Sequence, residues 1–178
     1  MIEGTGRDPL PEILRIARNL QGAGADALAI PCNTAHHYAE EIQAAVTIPL
    51  LHMVKLSVAR MAAAHPQARV GLLASTAVHR VGVYERELAD RGLEVVLPRR
   101  QDDLMALIRG VKRGESGARA ERQLAEIGSE LEHDCKVALI ACSELSLISA
   151  QLLARPGVLD SLDVLADAIV EFAGARTR

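Results

Sequence analysis

The stretch Ala25-Asp26-Ala27-Leu28-Ala29-Ile30-Pro31-Cys32-Asn33-Thr34-Ala35-His36-His37 decides how the rest of this 178-residue chain is read. Its apolar run predicts a buried strand over 25–30, which Pro31 ends. Beyond it, Tyr38, Ile42, Ala45 and Val46 recur at a spacing of about 3.6, so a helix follows, with Thr34 as its expected cap. Cys32 then falls just before the first helical turn, at the positive end of the helix dipole. In open α/β sheets, the carboxyl end of such a strand is where ligands bind.

Working outward, the same pattern returns. Lys136-Val137-Ala138-Leu139-Ile140-Ala141 predicts a second buried strand, and Cys142-Ser143-Glu144-Leu145 follows it as a thiol, a hydroxyl and a carboxylate at a helix start. Between the two lie further alternating elements: a helix over 54–64, a strand over 69–74 followed by Ser75-Thr76, a helix over 80–90, a strand over 94–97, and helices over 102–111 and 118–132. On the last of these, Leu124, Ile127 and Leu131 define the inner face. A short strand near 158–160 and a helix carrying Leu162, Leu165, Ile169 and Phe172 close the chain.

This alternation predicts an α/β protein with parallel sheets in two lobes, 1–66 plus 157–178 and 67–156, with the last helix returning to the first lobe. The first lobe opens with a helix and not a strand, which leaves it short of one strand-helix unit. Each lobe carries one cysteine at a strand's carboxyl end, so two facing lobes would turn both thiols toward one cleft.

Composition narrows the function. The chain is 49% hydrophobic with 2% aromatic residues, and its net charge is -3 without a basic stripe. Nucleic acid and anionic membrane are therefore not expected partners. No apolar run has membrane-spanning length and no targeting segment is evident, so a soluble, cytoplasmic protein is expected. Three cysteines without disulfide spacing are packing residues or reagents in a reducing compartment. Cys135 lacks a polar motif and reads as packing; the repeated context of Cys32 and Cys142 reads as a catalytic pair. A thiolate near a helix N-terminus is a good base. Two thiols on opposite faces of one carbon suit 1,1-proton transfer, provided donors such as Asn33, Thr34 and Ser143 stabilise charge building on an adjacent carboxylate. His36 or Glu144 would orient or tune the thiols from behind. Cys32, His36 and Cys142 could in principle furnish three zinc ligands, but no second close-spaced ligand pair supports a metal site.

The segments Pro31-Cys32-Asn33-Thr34-Ala35-His36 and Ala141-Cys142-Ser143-Glu144-Leu145 resemble the two signatures of the aspartate/glutamate racemase family. The likeness extends to Gly24-Ala25-Asp26, Ile48-Pro49-Leu50-Leu51-His52, Gly71-Leu72-Leu73-Ala74 and Asp160-Ser161. The resemblance implies two pseudo-symmetric Rossmann-like lobes with the site between them, usually as a homodimer, working on a small amino acid without pyridoxal phosphate or metal. It also implies Cys32 and Cys142 as the acid/base residues and Asn33, Thr34 and Ser143 as holders of the substrate carboxylate. Ser75 and Thr76 occupy the place of a Thr/Gly-rich substrate loop, and Ser143 replaces the usual Thr. The family's N-terminal strand and Gly-rich loop precede the region where this chain begins. Hydantoin racemases, maleate isomerases and arylmalonate decarboxylases share the scaffold, and a non-catalytic relative is a further alternative.

Overall fold

The computed structural model describes residues 6–135 and 137–176. Helix α1 (Leu10–Gly22) leads into β1 (Leu28–Ala29), a 3₁₀ turn (Thr34–Tyr38), α2 (Ala39–Ala45), β2 (Leu50–Leu51) and α3 (Met53–Ala64). Then come β3 (Arg69–Ala74), α4 (Thr76–Val81), α5 (Val83–Asp90), β4 (Glu94–Val96), α6 (Gln101–Lys112) and α7 (Ala118–Leu131). The chain ends with β5 (Val137–Ala141), α8 (Ser143–Ser146), α9 (Ala150–Leu153), β6 (Val158–Asp160) and α10 (Ser161–Arg176). Lys136, placed at the head of β5 from sequence, lies outside the described residues.

The strands form two parallel sheets, β1-β2 and β4-β3-β5-β6. The larger sheet is covered on both faces, which is why β3 and β5 read as nearly unbroken apolar runs. Val70, Leu72 and Ala74 of β3 and Val137, Leu139 and Ala141 of β5 pack with Val54, Val58 and Met61 of α3 and with Tyr84 and Leu88 of α5. Leu73 and Ile140 face the other way, into Leu104 and Ile108 of α6 and Leu124, Ile127 and Leu131 of α7. Each of these fully buried leucines contributes roughly 1.5–3 kcal/mol through removal of its side chain from water. A smaller core of Ala17, Leu28, Ile42 and Val46 seats α1 and α2 on the β1-β2 pair.

The packing does not divide the chain at 66 and 157. Strand β6 pairs with β5, so 158–160 belongs to the larger sheet. Helix α3 lies on that sheet as well, because its Val54, Val58 and Met61 face β3. Helix α10 packs against α3, and its Ile169 and Phe172 line a hollow of about 400 Å³ with Leu28 and Leu51 of the smaller sheet. The units β1-Cys32-turn-β2-α3 and β5-Cys142-α8-β6-α10 are thus repeats whose final helices pack against each other.

Three local expectations are corrected. The helix expected over 80–90 is broken, because Gly82 adopts φ 66°, a left-handed conformation that closes α4 before α5 begins. The 25–30 strand pairs only at Leu28 and Ala29. Thr34 is not a cap: the 3₁₀ turn starts after Asn33, whose side chain makes no capping bond.

Candidate active site

Cys32 is exposed at the end of β1, and its backbone is anchored from beneath. The Nδ1–H of His36 donates to the Cys32 carbonyl at 2.9 Å, while the backbone N–H of Met53 donates to Nε2 at 3.1 Å. Those two bonds together select the Nδ1–H tautomer of a neutral ring. Burial pushes the His36 pKa down to about 4 against the opposing pull of the Cys32 carbonyl, and the neighbouring His52 ring lowers it further. His36, expected to tune a thiol, therefore holds the backbone of the motif and fastens it to α3. With both ring nitrogens engaged, it offers no lone pair to a metal. No group of three His, Cys, Asp or Glu among the described residues is arranged as metal ligands.

Asn33 is buried, and its amide oxygen accepts a 2.5 Å hydrogen bond from the Tyr84 hydroxyl on α5. Thr34 opens the 3₁₀ turn and is half-buried. That turn packs against α4 and α5, so the first cysteine motif leans on the helices that follow β3.

The second motif sits next to the same place. Ala74 of β3 is paired with Ala141 of β5, so Ser75 and Cys142 leave the sheet side by side. Ser75 accepts from the Val78 backbone at 3.4 Å and caps α4. The Thr76 hydroxyl accepts at 3.4 Å from Gln101, whose amide also donates to the Ala74 carbonyl at 3.0 Å. Both of these expected substrate contacts are thus employed in shaping their loop. Ser143 opens α8 and is half-buried.

Cys142 is buried, and its thiol donates to Glu144 Oε2 at 3.1 Å. Burial pushes this thiol up to about 12, and the Glu144 carboxylate adds to the rise. Burial would also raise Glu144, but the Cys142 thiol, its own backbone N–H and Lys112, 3.3 Å away, outweigh that and hold the carboxyl low. The resting pair is a protonated thiol beside an ionised carboxylate. Cys142 thus rests as a buried thiol, while Cys32 is exposed to solvent.

Cys135 is buried beside Gly71 and donates to the Leu131 carbonyl at 3.1 Å, a packing role. A separate groove of about 930 Å³ runs past His37, Glu40, His52, Lys55 and Arg86, and neither Cys32 nor Cys142 lines it. Tyr84, Gln101, Ser146 and Lys112 escaped the sequence reading. Only Tyr84 carried a signal, as one of two tyrosines in a chain with one Phe and no Trp.

Residues 2–169 match the family described as Asp/Glu/Hydantoin racemase. The chain belongs to that family. Among related members, the broad specificity amino-acid racemase RacX of Bacillus subtilis (strain 168) is 27% identical over 155 residues, which span 86% of this chain and 67% of that protein. The structure of Picrophilus torridus aspartate racemase superposes with a TM-score of 0.83 at 27% identity, covering 96% of this chain and 72% of that one. Glutamate racemase isoform RacE1 from Bacillus anthracis superposes at 0.68 with 16% identity, covering 98% and 70%, a likeness of fold. The racemase fold of two Rossmann-like lobes is therefore that of this chain. No helix among the described residues is long and apolar enough to cross a membrane.

Proposed function

We propose that this racemase-family chain interconverts the enantiomers of aspartate or glutamate by two-cysteine 1,1-proton transfer at the alpha carbon, as a homodimer and without pyridoxal phosphate. The observation that carries this reading is the repeated placement of Cys32 and Cys142 after parallel strands, the second protonated against Glu144.

In one direction, a Cys32 thiolate takes the α-proton, the Cα–H bond breaks, and its electron pair spreads into the carboxylate. The Cys142 S–H then donates to the opposite face. Cys32 ends as a thiol and Cys142 as a thiolate, so protons balance and the reverse reaction starts from the swapped state. Asn33, Thr34, Ser143 and the backbone N–H groups beyond both cysteines would meet the growing carboxylate charge.

In heavy water, the wild-type chain is expected to place deuterium at the alpha carbon of aspartate or glutamate as the enantiomer forms. Cys32→Ser and Cys142→Ser should each lose racemisation. Full racemisation by either variant would exclude the paired mechanism, and inclusion of a hydantoin and maleate in the substrate panel separates the related reactions.

A further inference from the structure

We propose that Tyr84 is a positioning residue of this site, turning the Asn33 amide so that its NH2 and not its oxygen is presented to the substrate carboxylate. The inference rests on the racemase reading above and adds to it the residue that sets the polarity of the carboxylate-binding side chain.

The geometry carries the argument. Asn33 is 4% exposed, and Tyr84 is fully buried. The phenol hydroxyl donates to Asn33 Oδ1 at 2.5 Å, across 51 residues of sequence, whereas Asn33 Nδ2 has no hydrogen-bond partner among the described residues. Buried amide donors are nearly always paired in folded proteins, so an orphan next to an exposed thiol marks a place where an acceptor binds. A carboxylate offers only acceptors. An asparagine that presented its oxygen would repel that carboxylate; one whose oxygen is occupied presents two donors.

Tyr84 is itself held in place. The hydroxyls of Ser57 and Ser161 border its phenol, as does Asp160. Asp160 Oδ1 accepts from Ser146 at 2.9 Å and from the Leu162 backbone at 2.8 Å. Ser146 lies on the helical turn that Cys142 opens. A buried polar line thus runs from Asn33 through Tyr84 and Asp160 to the second cysteine motif. The amide of one motif is oriented by a side chain packed between α3, β6 and α10, elements that neither motif contains.

The test measures binding of succinate, a dicarboxylate with no stereocentre to racemise, together with racemisation of aspartate and glutamate. In ¹⁵N-labelled full-length protein, succinate is expected to shift the Asn33 side-chain NH2 resonances, assigned by their loss in Asn33→Ala. Tyr84→Phe should weaken succinate binding by about tenfold or more, as for loss of a well-made bond to a charged group. Asn33→Ala should do the same, and the double variant should lose no more than either single one, since both act through one contact. A purely structural Tyr84 would give additive losses. Unaltered succinate binding by Tyr84→Phe, additive losses, or no succinate binding by the wild type would each overturn the proposal. If Tyr84→Phe does not fold, Asn33→Asp carries the test: it keeps the acceptor for Tyr84 and removes both donors, and undiminished succinate binding would overturn the proposal. Coupled losses in a wild type that racemises nothing would uphold Tyr84 and defeat the racemase reading. Racemisation with an unaltered Tyr84→Phe would do the reverse.

Discussion

His36 donates its Nδ1–H to the carbonyl oxygen of Cys32 at 2.9 Å, and burial keeps its ring neutral, which leaves Nε2 able to accept. Its other nitrogen accepts from Met53, the first residue of α3. One imidazole therefore ties the end of β1 to a helix that packs on the larger sheet, and protonation of Nε2 would break the second tie.

That bond gives stability a pH dependence. Burial holds the His36 pKa at about 4 in the folded chain, below its ordinary 6.5, so on acidification the unfolded chain takes the proton first. The stabilisation is complete above about pH 6.5 and is lost as pH falls toward about 4, with a total on the order of 3 kcal/mol. Burial raises the Asp160 carboxyl and works in the opposite sense, so the comparison between variants isolates the histidine. Urea unfolding of wild type and His36→Gln across this range should show a slope in the first that is reduced in the second. Parallel curves would refute the assignment.

The Cys142–Glu144 bond predicts thiol reactivity. In the wild type, iodoacetamide should modify exposed Cys32 well before buried Cys142 and Cys135. Glu144→Gln removes the carboxylate that adds to the rise in the Cys142 pKa, while burial, the larger cause, persists. Alkylation of Cys142 in mildly alkaline buffer, followed by peptide mass spectrometry, should then accelerate by roughly three- to tenfold. A slower or unchanged rate would mean that Glu144 does not raise the thiol.

Gly71 lets the larger sheet lie close against the end of α7. A Cβ there would come within 2.9 Å of both Cys135 Sγ and Leu131 Cδ1. Gly71→Ala should cost about 1–3 kcal/mol by overpacking. Adding Cys135→Ala should return only part of this, because Leu131 still blocks the space. Equilibrium unfolding in urea measures both, and wild-type stability in the single variant would show that α7 gives way freely.

Much of this architecture is written in local pattern. The apolar runs at 69–74 and 137–141 announce strands buried on both faces, and Leu124, Ile127 and Leu131 announce the inner stripe of α7, because burial imposes its period on the residues themselves. The cysteines follow their strands for the same reason, so their location at the carboxyl ends of parallel strands was legible before any coordinates.

What the chain order leaves open is which elements meet. The placement of α3 on the larger sheet and the pairing of β6 with β5 are choices between apolar faces that look alike in sequence. The polar contacts depend on those choices. His36 has an acceptor role only because α3 arrives with the N–H of Met53, and Asn33 is oriented only because α5 delivers Tyr84. Sequence determined the chemistry available at Cys32 and Cys142, since residue type and secondary-structure period are local properties. Tertiary structure alone decided which thiol is buried and protonated, which histidine is neutral, and which end of an amide is presented, since each follows from desolvation and from partners distant in the chain.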